Sequence, residues 1–554
     1  MRCGPPLLAL CVLTACGDDA AGDSSDTGGT TDETATGRST SSPTQATSAA
    51  TTQSAADSDG SDTAPVSDLP PVVQCGPSAD GPYWLLEGET VGFDVGCSTD
   101  VVLPGSAFSF PDLPEGASYD PSTSTFTWTT GLSDGAVYDL EIVEDTYGET
   151  GVVRIGVADA FMDPANVPVV DPAAYTHEYG LPVVHLNNND ELNNDYYTAA
   201  TLVHDGHLYT AESKLRGASS LGYPKNNYTL KFEKEDKFSD DFGDDGLVER
   251  RKLVLTSTFD DNSYIRQRLA FEMWNRLDPE HIQVRAYNVI LFRDGAYHGL
   301  YVLGDHIDGY LMEDHDLWQD GNLYKARSHD ANFANTNNGG SPKSTLHDGL
   351  TKSEGIPPEG EPGAFDDLDE LVDFVANSNQ QTFVAELDSR IDQRDYEDWF
   401  IFASAISASD SGAKNSYHYH NPAEGKWRCV PWDFNESFGQ DWRTLRVGAD
   451  QPFSDYFNRN FLFERIYSDP LLGSALMDRY DTVLTSQYAL DDLLALIDTW
   501  TAENHPSALR DESRWSGEYQ TYGGWNWRDD FLTHEQEVEY VKTWLTERWL
   551  FLGA

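Results

Sequence analysis

Asp410-Ser411-Gly412-Ala413-Lys414-Asn415 is followed without a gap by the alternating run Ser416-Tyr417-His418-Tyr419-His420, and this stretch decides the fold. The turn formers Asn421-Pro422-Ala423-Glu424-Gly425 come next. A second apolar run, Lys426 to Val430, then delivers Pro431-Trp432-Asp433-Phe434-Asn435. A helical pattern over Asp395 to Ile406 stands in front of it all. The order is therefore helix, D-x-x-x-x-N loop, β-hairpin, D-F-x loop. A hairpin lays its two ends side by side, so Asn415 and Asp433 are expected at one place.

Carboxylate, amide and carboxylate in that order suit phosphoryl transfer. One carboxylate accepts a hydroxyl proton, while an amide oxygen and a second carboxylate hold a divalent cation over the phosphates. Either motif alone arises often by chance, and Asp410 or Asn415 can equally cap a turn or support a loop. The order, with the hairpin between them, is what makes the pattern specific.

Two further blocks stand upstream. Leu215-Arg216-Gly217-Ala218-Ser219-Ser220 precedes Tyr223-Pro224-Lys225-Asn226-Asn227-Tyr228-Thr229-Leu230-Lys231-Phe232, and Arg266-Gln267-Arg268-Leu269-Ala270-Phe271-Glu272 follows. With Trp432-Asp433 and Ser437-Phe438-Gly439, these blocks resemble the CotH (spore-coat protein H) kinase family from about Tyr175 to the C-terminus. The resemblance implies a kinase-related fold, ATP with Mg²⁺ or Mn²⁺, and phosphorylation of protein Ser or Thr hydroxyls. It makes Asp410 the catalytic base and Asn415 and Asp433 the metal ligands, and puts Glu272 on the helix that pairs with a phosphate-contacting lysine. On an extended strand Lys225, Thr229 and Lys231 share one face, opposite Tyr228, Leu230 and Phe232. Lys231 is the expected lysine, with Lys225 as a second phosphate contact. Gly217, Ser219 and Ser220 would let backbone N–H groups approach the phosphates.

The chain departs from ordinary kinases at three points. Ala408 and Ser409 stand where an arginine would precede the base, Asn435 replaces the glycine of D-F-G, and there is no full G-x-G-x-x-G run. Single residues also have plainer readings: Glu272 can pair with Arg268 on its helix, and Lys231 can be a solvated strand residue. His418 and His420 share a hairpin face and are expected as surface histidines more than as metal ligands. Trp399, Trp427, Trp432 and Trp442 are expected in the core.

The N-terminus reads differently. Arg2, an apolar stretch from Pro5 to Leu13 and Thr14-Ala15-Cys16 form a secretory signal too short to span a bilayer. Leu13-Thr14-Ala15-Cys16 resembles a bacterial lipobox, which makes Cys16 the lipid-bearing residue of an exported, membrane-anchored chain. Gly17 to Asp68 has no aromatic residue and a single cation, Arg38, and is expected as a disordered tether. Period-two patterns at Phe126 and Trp128, at Tyr138, Leu140 and Ile142, and at Val153, Ile155 and Val157 read as a small all-β sandwich. Leu113-Pro114-Glu115-Gly116-Ala117-Ser118-Tyr119-Asp120-Pro121 resembles immunoglobulin-like repeats of bacterial surface proteins. Cys75 and Cys97 are the expected disulfide, leaving Cys429 buried and free.

A formal charge of −57 argues against nucleic acid as a partner. It does not by itself mark a metal site. Nothing fixes two carboxylates at the separation that glycoside hydrolysis needs.

The expected architecture is α+β: an atypical protein-kinase-like fold over 175–554, preceded by an immunoglobulin-like sandwich over 71–160, a tether over 16–70 and a signal over 1–15. The expected function is an extracytoplasmic Ser/Thr kinase. The alternative is a surface adhesion or assembly protein that keeps the fold without turnover. The segment Ser328 to Ala364, acidic and rich in Gly and Pro, is expected as a surface insertion.

Overall fold

The computed structural model describes residues 77–553, apart from 80, 98–106, 132–133, 146–147, 159–170, 189–191, 243–245, 424, 458 and 526–527. The signal, Cys16, the tether and Cys75 lie outside the described residues. Cys97 is disulfide-bonded, and Cys429 is buried and free.

Eight strands come first: β1 (Pro77–Ala79), β2 (Tyr83–Leu86), β3 (Thr90–Cys97), β4 (Phe108–Ser109), β5 (Ser118–Asp120), β6 (Thr125–Thr129), β7 (Ala136–Glu144) and β8 (Thr150–Ala158). They form two four-stranded sheets, ordered β1-β3-β6-β5 and β2-β8-β7-β4. Alternation supplies the core: Phe93, Phe126 and Trp128 from one sheet meet Leu140, Ile142, Val153 and Ile155 from the other.

Beyond a short β9 (His177–Glu178), the next unit is a barrel. Its strands are β10 (Leu181–Asn188), β11 (Thr198–His204), β12 (His207–Arg216) and β13 (Asn227–Phe232), then, after the small ribbon β14 (Phe238–Asp240) and β15 (Leu247–Arg250), β16 (Lys252–Thr256), β17 (Ala286–Arg293) and β18 (Ala296–Asp305). The order β11-β12-β13-β16-β18-β17-β10 returns to β11 through the β10–β11 pairing, so seven strands close on themselves. Tyr228, Leu230 and Phe232 fill the interior beside Leu202, Leu253, Val289 and Leu303. Thr229 and Lys231 take the outer face, as the alternation in β13 requires. The strand around Tyr228 to Phe232 was expected, whereas the closure of seven strands into a barrel was not.

Helix α1 (Arg266–Leu277) lies between β16 and β17, and α2 (Gly309–Asp314) follows β18. A second sheet, β20-β19-β21-β22, is built from β19 (Asn322–Ala326), β20 (Leu350–Glu354), β21 (Ser416–His420) and β22 (Trp427–Pro431). Helices α3 (Asp366–Asn377), α4 (Gln380–Arg390), α5 (Gln393–Ala405), α6 (Phe461–Ser468), α7 (Pro470–Thr485), α8 (Leu490–Thr521) and α9 (His534–Leu552) surround it, with one large apolar core. No helix among the described residues is long and apolar enough to cross a membrane.

A capping box opens α9: Thr533 and Gln536 satisfy each other's backbone donors, and Val541, Leu545 and Trp549 are buried. Three expectations need correction. Ser328 to Ala364 is no free surface insertion, because Ala331 and Phe333 enter the core and β20 pairs with β19. His418 is not a surface histidine: it is 0% exposed, hydrogen-bonded at 3.2 Å to both Tyr396 and Ser416, and burial alone lowers its pKa to about 3. Both faces of this hairpin are covered, so alternation no longer separates inside from outside. His420 stacks on Trp427 and bonds Asp367 at 2.6 Å. Trp399, Trp427 and Trp432 are buried as expected, whereas Trp442 is exposed.

Candidate active site

The hairpin β21–β22 pairs Ser416 with Pro431, which sets the loops on either side of it next to each other. The Asn415 carbonyl accepts the Trp432 N–H at 2.8 Å, and Ser411 Oγ reaches the Asp433 carbonyl at 3.4 Å. Asn415 and Asp433 both have positive φ, 56° and 66°. Left-handed backbone at a non-glycine residue is uncommon and gathers at sites that must aim a side chain.

Asp410 is held on both oxygens. Lys414 Nζ and Asn415 Nδ2 donate to Oδ2 at 2.7 and 2.9 Å, and His329 Nε2 lies 3.1 Å from Oδ1. Burial works to raise its pKa, but His329 and Lys414 outweigh it and hold the carboxyl well below the usual range. Asp433 is the opposite case. Solvent reaches it, and no described residue hydrogen-bonds or ion-pairs with its carboxylate. Desolvation by the cleft walls and the Asp410 charge raise its pKa against the opposing pull of Lys414, Arg216 and Lys325. Asp433 is thus open to solvent while protein atoms and charges stand closely around it.

Several neighbours escaped the sequence reading. The Arg216 guanidinium lies 5.1 Å from the Trp432 ring centre. Glu436 accepts from Ser409 through Oε1, while its Oε2 is buried without a partner, and burial followed by the Asp410 charge pushes its pKa up. Asp260, just before α1, accepts from Tyr223 and Asn435 at 3.1 and 2.8 Å, and burial with the Asp261 charge lifts it to about 6. Lys414 was legible beside Asn415. His329, 81 residues before Asp410, had no local signal.

The remaining expected residues divide. Gly217 (φ 123°) opens the turn between β12 and β13, where an added Cβ would fall 1.9 Å from Ser220 Oγ, so the turn requires glycine. Ser219 and Ser220 belong to the 3-10 turn Ser219–Gly222 that follows. Lys225, Lys231 and Glu272 are not brought together. Lys225 is 0% exposed and bonded to Asp511 and to the Leu300 carbonyl, which corrects its assignment as a phosphate contact. Lys231 pairs with Glu212 at 2.7 Å, and Glu272 pairs with Arg276 at 2.5 Å and not with Arg268.

The donor set fits a hard cation with phosphate. Asn415 spends an amide N–H on Asp410, no described residue donates to its Oδ1, and its carbonyl bonds the Trp432 N–H, so its backbone lies next to the Trp432-Asp433 segment. Among the described residues no three His, Cys, Asp or Glu are grouped to hold a metal by themselves, so phosphate and water would complete the shell.

Residues 214–552 match the family described as CotH kinase protein. The chain belongs to the CotH kinase protein family. A relative, the inner spore coat protein H of Bacillus subtilis (strain 168), is 23% identical over 246 residues, which is 44% of this chain. The match spans 63% of that relative's length. The CotH match begins in β12 and ends in α9, so it includes every residue of the Asp410–Asp433 cleft and leaves the sandwich outside.

Proposed function

We propose that this chain is an atypical protein kinase that transfers the γ-phosphoryl group of ATP to Ser or Thr hydroxyls of surface or exported proteins. The observation that carries it is the solvent-open Asp433 carboxylate on the loop next to Asn415, with the fixed Asp410 bonded to Asn415 and the charges of Asp410, Lys414, Arg216 and Lys325 acting on Asp433. ATP would supply the phosphoryl group, and Mg²⁺ or Mn²⁺ held by Asn415 and Asp433 would neutralise its charge. Asp410 accepts the hydroxyl proton. The nearby cations bind and orient the phosphates. Gly217, Ser219 and Ser220, in the turn after Arg216, would offer backbone N–H groups to the phosphates.

The strand order supports a kinase-like reading. Strands β12, β13, β16, β18 and β17 are neighbours in that order, α1 follows β16, and a helical lobe follows β18. In protein kinases the phosphate-contacting lysine stands on the strand that leads to the helix carrying its glutamate partner. Here that strand is β16, whose Lys252 lies directly opposite Lys231 in register. The lysine role therefore moves to Lys252, whose Nζ is 3.1 Å from Asp308. Export with lipidation at Cys16 and an immunoglobulin-like spacer completes the reading, supported by a relative named as a coat protein.

A second reading has one specific support, namely that Glu272 is engaged by Arg276 and not by a lysine. On this reading the chain is an adhesion or assembly protein without turnover. Incubating the protein with labelled ATP and Mg²⁺ or Mn²⁺, with and without chelator, separates the two. Metal-dependent incorporation is expected, together with thermal stabilisation by ATP and metal. A protein that neither incorporates phosphate nor is stabilised fits only the second reading.

A further inference from the structure

The two oxygens of Asp410 are served from different parts of the chain. Oδ2 is held by Lys414 and Asn415, both from its own loop. Oδ1 has His329 Nε2 at 3.1 Å, from the loop after β19. That loop is fixed on both sides of His329. Arg327 N and Ser328 N donate to the Gly349 carbonyl at 2.8 and 3.3 Å, Ala331 and Phe333 are buried in the core, and the Asn332 carbonyl accepts the Phe461 N–H at 2.9 Å. His329 is thus a prop built into the core and not part of a swinging lid.

A carboxylate pinned at one oxygen can still rotate about its Cβ–Cγ bond; one pinned at both cannot. Each carboxylate oxygen has two acceptor sites, so the 3.1 Å His329 contact leaves one on Oδ1 for a further donor. We propose that His329 is a positioning residue that aims this remaining lone pair of Asp410 at the acceptor hydroxyl, an inference that rests on the phosphotransfer reading. In the step it serves, the hydroxyl oxygen bonds to the γ-phosphorus as the bond to the leaving ADP oxygen breaks. The hydroxyl proton passes to Asp410 Oδ1, and His329 keeps its own.

The test uses the full chain with His329→Ala, His329→Gln, Asp410→Asn and the double variant His329→Ala/Asp410→Asn. His329→Ala is expected to lower kcat by about 10²-fold, the scale of an ångström-sized misplacement. Affinity for a fluorescent ATP analogue with Mg²⁺, measured without turnover, should stay within about twofold. His329→Gln keeps an N–H at similar reach and should recover most of the rate. In the Asp410→Asn background, His329→Ala should cost nothing further, because the two act as a unit. A His329→Ala protein with wild-type kcat would overturn the proposal while the kinase reading stood. So would a loss that glutamine does not rescue, or one that adds to Asp410→Asn. A wild-type chain without transfer overturns the kinase reading and this proposal together.

Discussion

Asp511 and Asp433 are the same side chain put to opposite uses. On α8, Asp511 is buried and takes four donations: Lys225 Nζ at 2.8 and 2.9 Å, Tyr264 OH at 2.9 Å and the Leu300 N–H at 2.7 Å. Gly299 makes room for it, since a Cβ there would fall 2.1 Å from Asp511 Oδ1. Asp433 receives none of this and faces the cleft. A buried charge must be paired, and the pair then ties elements together; a charge left open beside a free amide oxygen is available to a ligand. Lys225 and Asp511 hold the barrel to α8. Among the described residues none hydrogen-bonds or ion-pairs with the Asp433 carboxylate.

Asp511→Ala strands Lys225 in the core and is expected to cost about 3–5 kcal/mol, read as a lower thermal midpoint. A midpoint close to wild type would mean that the pair is not holding barrel and helix together.

A second buried tie sharpens the pH side. Glu537 accepts from Arg266 and Arg446 at 2.6 and 2.7 Å, and although burial pushes the other way, these two hold its pKa down to about 2. Its folded pKa is depressed, so its contribution is present above the unfolded value of about 4.3 and is lost as pH falls toward about 2. Glu537→Gln should destabilise by about 2–3 kcal/mol at neutral pH, with a gap to wild type that narrows across that acid window. A gap independent of pH would show that the charge on Glu537 is not what stabilises.

The smallest effect belongs to the exposed pair. Lys231 and Glu212 are both well solvated, and Lys231→Ala should change stability by less than about 1 kcal/mol. A larger loss would place Lys231 with the structural charges.

What the sequence made legible was local. Alternation in β13, the capping box of α9 and the hairpin that joins Asn415 to Asp433 each lie within about twenty residues or fewer, where turn chemistry and periodicity act directly. Barrel closure depends on β10 meeting β11 on one side and β17 on the other, pairings that only the assembled sheet specifies. The long helix α8 was hidden by Pro506 in its interior, a residue that usually ends a helix. On the proposed reading the lysine role passes from Lys231 to Lys252, because the rank of β16 emerges only from the sheet order. His329 escaped for the same reason as Asp511, since each finds its partner far along the chain.

The most direct test is phosphate incorporation by wild type and Asp433→Ala under ATP with Mg²⁺ or Mn²⁺, with thermal midpoints measured on both. The expected result is a loss of at least about 10³-fold in incorporation with an unchanged or slightly raised midpoint, because no described residue hydrogen-bonds or ion-pairs with the Asp433 carboxylate. Equal incorporation by the two proteins, or a collapse of the midpoint in Asp433→Ala, would contradict the claim that this carboxylate is kept open for a ligand.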